Sequence, residues 1–273
     1  MKKALAIGCL LGTMLLASCQ QHDAIVDLTA PGGSWTSSSG ISGSLIQPNP
    51  TMDRFSELGF WTGSALFRDA WVAAPASTRA RDGLGPLFNA RSCQSCHQAG
   101  GRGDSVLHNP DSVSTVFRMS NGGVAFQHFG RQLQPRATYD LRGDGQRIAG
   151  FFYGEPLPAI AVETIAADQK APQLREFSVS LEQWPNEIVS ARIAPSLAGL
   201  GLLEAIPESR IIALADPEDE DNDGISGRVH WVTTANRRDI GRFGWKAPHP
   251  TVAAQTADAF LNDIGITSEL NPD

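Results

Sequence analysis

Two of the chain's four cysteines stand three residues apart, with a histidine directly after the second: Cys93-Gln-Ser-Cys96-His97. On a turn of helix, residues at i, i+3 and i+4 share one face. Two sulfurs and an imidazole are thereby brought within the span of one porphyrin. That spacing suits thioether bonds from both sulfurs to the vinyl groups of a haem, with the imidazole on the iron. A chain built on such a turn has to fold around a flat apolar disc. Covalent attachment also keeps the cofactor from being lost in an exported protein.

Other uses of a Cys-x-x-Cys pair ask for different surroundings. A thioredoxin-like redox pair wants a βαβ setting and a buried strand ahead of the first cysteine, whereas "GLGPLFNARS" precedes Cys93. A structural zinc wants a fourth ligand, normally from a second cysteine pair, and none is present. Two cysteines this close also close too small a loop to staple distant parts of the chain.

The N-terminus reads as an export address. Lys2 and Lys3 precede an apolar run from Ala4 to Leu16, too short to span a bilayer comfortably. Leu16-Ala17-Ser18-Cys19 then matches a lipoprotein processing box. Residues 1–18 are thus expected to be removed and Cys19 acylated. Gln20 follows in place of an aspartate, which favours the outer membrane, on its periplasmic face. The stretch after Cys19 is rich in Gly, Ser and Pro, so residues 19–50 read as a flexible tether. The folded body is expected at residues 51–273.

The formal net charge is −7, and about −9 without the leader's two lysines. A chain this acidic makes nucleic acid an electrostatically unfavourable partner. Hydrophobic residues at 41% supply enough material for a core, while 27 Gly and 17 Pro call for many turns.

Helical spacing of Phe55, Leu58 and Leu66 behind Thr51 or Asp53 predicts a first helix. Pro86 is placed to open a second, carrying Leu87, Phe88 and the cysteines. An Asp144-Gly145 turn and the alternation of Phe177, Val179 and Leu181 predict a β-hairpin insertion over about 139–181. Short helices follow between Ser196 and Asp216, and Thr251 caps a last one that Gly265 ends.

Secondary sites are less sharply written. Met119, His108 and His128 are candidates for the iron's other axial position, though each is also an ordinary core or surface residue. Gln132 and Gln134 are candidates for its distal side. In "DEDNDGISGR", Asp219, Asp221, Asp223 and the carbonyl of Ile225 occupy the early ligand positions of an EF-hand-like calcium loop. Position twelve is His230 where a bidentate glutamate is wanted, so a solvated acidic turn is the competing reading. Trp245 reads either as a core residue or as an electron relay.

Several blocks carry a resemblance. "RDGLGPLFNARSCQSCH" (81–97), "IAPSLAGLGLLEAIPE" (193–208), "DNDGISGR" (221–228), "GRFGWKA" (241–247) and "DIGITS" (263–268) resemble, in order, the bacterial di-haem oxidoreductases, a peroxidase-like family also called thiol oxidoreductases. The resemblance implies a mainly α, cytochrome c-like haem domain. It implies haem c on Cys93 and Cys96 with His97 as proximal iron ligand, an open or weakly held sixth position, and electron exchange with a donor or acceptor redox protein. Peroxide reduction is the implied chemistry, and a mono-haem electron-transfer cytochrome c the alternative. Family members are longer and carry a second CxxCH, so the chain resembles their N-terminal portion, truncated at the C-terminus.

Overall fold

The computed structural model describes residues 46–105, 112–119, 130–138, 189–234 and 237–272, a few isolated positions before and between these, and the backbone of 148–156 and 175–181. The export leader with Cys19, most of the tether, His108 and His128 lie outside the described residues.

Helix α1 (Arg54–Arg68) starts where Asp53 accepts from the backbone N–H groups of Phe55 and Ser56. It packs against a single helical turn, α2 (Cys93–Cys96), and its Phe60, Ser64 and Phe67 side is half-buried. Phe55, Leu58 and Leu66 lie on the opposite face and are exposed, so the apolar spacing that predicts this helix is not the face it buries.

Strand β1 (Leu87–Phe88) pairs with β4 (Arg136–Ala137). A three-stranded antiparallel sheet is ordered β3 (Gln132–Leu133), β2 (Thr115–Met119), β7 (Val189–Ile193). Its register sets Phe117 opposite both Leu133 and Ala191. Thr115, Phe117 and Met119 alternate inward along β2. Strands β5 (Ile148–Pro156) and β6 (Arg175–Leu181) form a separate antiparallel pair, as do β8 (Trp231–Thr234) and β9 (Arg237–Ile240). Short helices α3 (Leu200–Glu204) and α4 (Glu208–Ala213) lie between β7 and β8. Helix α5 (Val252–Ala259) is capped by the Thr251 hydroxyl and runs on into a π-helical turn, Phe260–Ile264, which Gly265 ends in the left-handed region. Among the described residues no helix is long and apolar enough to cross a membrane.

The expected mainly α, cytochrome c-like fold is therefore corrected: short helices are set among several small sheets, well beyond one β-hairpin insertion. Two local causes are visible. Alternation in Thr115–Met119 finds matching edges in β3 and β7, so this stretch is a central strand. Pro86 opens no helix, because Gly85 lets the backbone close directly onto Gly265, and Leu87–Phe88 is drawn out as an edge strand. A Cβ on Gly85 would collide with the Gly265 carbonyl.

Two apolar clusters flank the α2 turn. Leu84, Phe88 and Ile264 are buried, with Trp71, Phe260, Ile266 and Cys93 packed on them. Ala90, Cys96 and Ala194 form the other, with Val113 beside them. Burying a side chain the size of Phe88 or Ile264 is worth about 2 kcal/mol.

Candidate functional site

The Cys93–His97 stretch is opened by Ser92, whose hydroxyl accepts from Ser95 N at 3.2 Å. The His97 backbone N–H closes the turn on Cys93 O at 2.9 Å. One turn thus carries both sulfurs and the imidazole, as the spacing requires.

Neighbouring segments fix the turn from several sides. Ahead of it, Asn89 N donates to Asp263 O at 2.7 Å, tying the entry to the π-helical turn. Behind it, Ala99 and Gly100 reverse the chain at positive φ. Gly103 N then donates to Ala194 O, and Leu197 N to Gly100 O, both at 2.9 Å. Blocks 81–97, 193–208 and 263–268 therefore meet at this turn. Gly103 allows a close approach here, since a Cβ there would run into Ser114 and the Cys96 carbonyl.

His97 is half-buried, and its Nδ1 lies 2.7 Å from the carbonyl of Pro195. A carbonyl can only accept, so Nδ1 carries the proton, and in the neutral ring the lone pair is on Nε2. This is the form in which an imidazole binds a metal, held by a partner that fixes its ring and raises its basicity. Burial lowers the His97 pKa below the usual histidine value, against the bonds to Pro195 and Gly101, and favours the same neutral ring.

Both thiols are free. Cys96 is buried, with Sγ 3.1 Å from Val113 O. Burial, with Asp263 nearby, pushes Cys93 up to about 11 and Cys96 to about 12. Reactive thiolates are found where cations or a helix N-terminus hold the pKa low. These surroundings do the reverse, which disfavours redox-thiol or thiolate-metal chemistry at the pair.

Beneath the turn lies a polar network that the sequence does not announce. Gln132 Nε2 donates to Asp263 Oδ1 at 2.6 Å and to Asn89 Oδ1 at 2.9 Å, and Asn89 Nδ2 donates to Leu133 O at 3.0 Å. Gln132 Oε1 accepts from Arg118 at 3.1 Å. Desolvation pushes the Asp263 carboxyl up to about 6 despite the Gln132 bond. Gln134 Nε2 donates to Asn262 O at 2.7 Å. Both glutamines are thus engaged in core hydrogen bonds rather than presented to an open distal face.

Met119 is buried at the far end of β2, about 13 Å along the strand from Thr115 at ~3.3 Å per residue. The structure does not bring it to the turn. Trp245 is half-exposed under Arg192, whose guanidinium carbon sits 4.7 Å from its ring centroid. In the acidic loop, carboxylate oxygens of Asp216, Asp219 and Asp221 lie within 4.8 Å of one another. Asp223 Oδ1 instead accepts from Ile225 N at 2.8 Å. Asp216 is the member sequence spacing passes over, because it precedes the loop pattern by three residues and is brought in by a bridge from its own backbone to Gly227.

Neither a curated protein nor a solved structure matches the chain. A family profile does, over residues 25–126 and 170–273, well over half of the 273 residues, and its description is "Di-haem oxidoreductase, putative peroxidase". The first segment contains the Cys93–His97 turn and the second contains Pro195, so the two halves of the site geometry both fall within the match. The chain belongs to the di-haem oxidoreductase family.

Proposed function

We propose that this chain is a c-type haem protein working in electron transfer, with Cys93 and Cys96 as thioether attachment points and His97 Nε2 as the proximal iron ligand. The observation that carries the reading is the His97 Nδ1 to Pro195 O bond, because it puts the ring proton on Nδ1 and the lone pair on Nε2, directly after the turn that carries both cysteines. Protonated, buried thiols suit the attachment chemistry, in which each S–H adds across a vinyl C=C. Attachment there would cost Cys96 its contact with Val113 O.

A bound haem supplies a one-electron couple and, with an open sixth position, a place for peroxide to bind. The protein's contribution is fixation and tuning. Pro195 orients the ligand, the clusters around Leu84 and Ala90 exclude water from the attachment turn, and Asp263 and Arg136 set charge near it. Peroxide reduction takes two electrons and two protons per peroxide and yields two waters, so a partner redox protein has to deliver the electrons. Acylation at Cys19 would hold the domain at the outer membrane, facing the periplasm where such partners diffuse.

A non-catalytic electron-transfer cytochrome c is the second reading, which asks only for a haem with both axial positions filled. Optical and resonance Raman spectra of the loaded protein separate the two. Five-coordinate, high-spin iron that reacts rapidly with peroxide supports the enzyme. Six-coordinate, low-spin iron inert to peroxide supports the carrier.

A further inference from the structure

Away from the Cys93–His97 turn, a cleft of about 280 Å³ opens between β8, the loop at His249 and helix α5. Segments far apart in sequence line it: Arg131 from just ahead of β3, Thr233 from β8, His249, Asp258 from α5, and Leu270 with Asn271 near the C-terminus. Asp258 is the carboxylate among these lining residues, with a side chain 8% exposed. It accepts from Arg131 Nη2 at 2.6 Å, and its other oxygen lies 3.4 Å from His249 Nε2.

Arg131 commits one N–H of its five to Asp258, and its side chain stays 43% exposed at the cleft. Among the described residues its other N–H groups have no acceptor. Arg118 adds a second guanidinium within electrostatic reach of Asp258, and Asp263 a second carboxylate within reach of both. Asp263 lies deeper and is bonded to Gln132.

A planar fork with free N–H groups matches the two oxygens of a carboxylate. The Thr233 hydroxyl and the Asn271 amide add neutral donors. Pro250, Ala254 and Leu270 supply apolar wall. That combination recognises a molecule with one anionic end and a short hydrocarbon body. We propose that this cleft binds a small organic carboxylate, its charged end on the free N–H groups of Arg131 and its apolar body against Leu270 and Pro250.

Calorimetric titration of the haem-loaded full chain with butyrate, acetate and inorganic phosphate tests this. Saturable butyrate binding is expected, at least tenfold tighter than phosphate, with an unchanged Soret band that separates the cleft from the iron. Arg131→Gln should weaken butyrate at least tenfold. Should that variant fail to fold, Leu270→Ala provides an independent arm: it should weaken butyrate several-fold and leave acetate unaltered. Absence of saturable binding, equal affinity for phosphate and butyrate, or butyrate affinity unchanged in the folded variants would overturn the assignment.

Discussion

Nδ1 of His97 and the carbonyl of Pro195 meet at 2.7 Å across 98 residues of sequence. On the proposed reading the bond would make the imidazole a better donor to ferric iron, with the proline ring restricting the backbone that carries the carbonyl. Pro195→Gly keeps the carbonyl but frees it. The reduction potential should then rise by roughly 30 mV, equivalent to about a threefold change in relative affinity for the two iron states. Spectroelectrochemical titration of both proteins measures it, and an unchanged potential would deny the carbonyl this role.

Close backbone approach at Gly103 gives a stability test with an internal control. Gly103→Ala forces a Cβ into Ser114 and the Cys96 carbonyl, and should cost about 1–3 kcal/mol as overpacking does elsewhere. Gly59→Ala, on an open position of α1, should instead stabilise by up to about 1 kcal/mol. Thermal melts of the two variants should move in opposite directions.

Asp258 predicts an acid limb of stability. Burial alone would raise its pKa, but the His249 bond and the charges of Arg131, His249 and Arg118 together hold it below the ordinary carboxylate value. A depressed folded value stabilises the native state fully above the unfolded value of about 3.9, and that stabilisation disappears as pH falls through the folded value. Denaturant midpoints between pH 6 and pH 2 should therefore fall less steeply for Asp258→Asn than for the parent protein. Parallel curves would show that the pair contributes nothing.

The helical turn at Cys93–Cys96, with His97 closing it, was legible because it is local: the spacing of the three residues can be read without knowing the fold. Helix ends were legible for the same local reason, Asp53, Thr251 and Gly265 each acting through neighbouring backbone groups. What the sequence concealed depends on distant pairing. Leu87–Phe88 is helical by its proline and extended by its contact with Gly265 and Arg136–Ala137. Gln132 is a plausible distal residue until Asn89 and Asp263 are seen to claim its amide. The fold class is hidden by the same mechanism, since each short strand is set only by a partner elsewhere in the chain.

Covalent haem on one helical turn is the central claim, and intact mass under denaturing conditions tests it most directly. Protein matured alongside cytochrome c assembly machinery should retain the mass of one haem after denaturation and give a c-type pyridine haemochrome spectrum. A Cys93→Ser, Cys96→Ser double variant should lose both. Colourless parent protein at its haem-free mass would contradict the account.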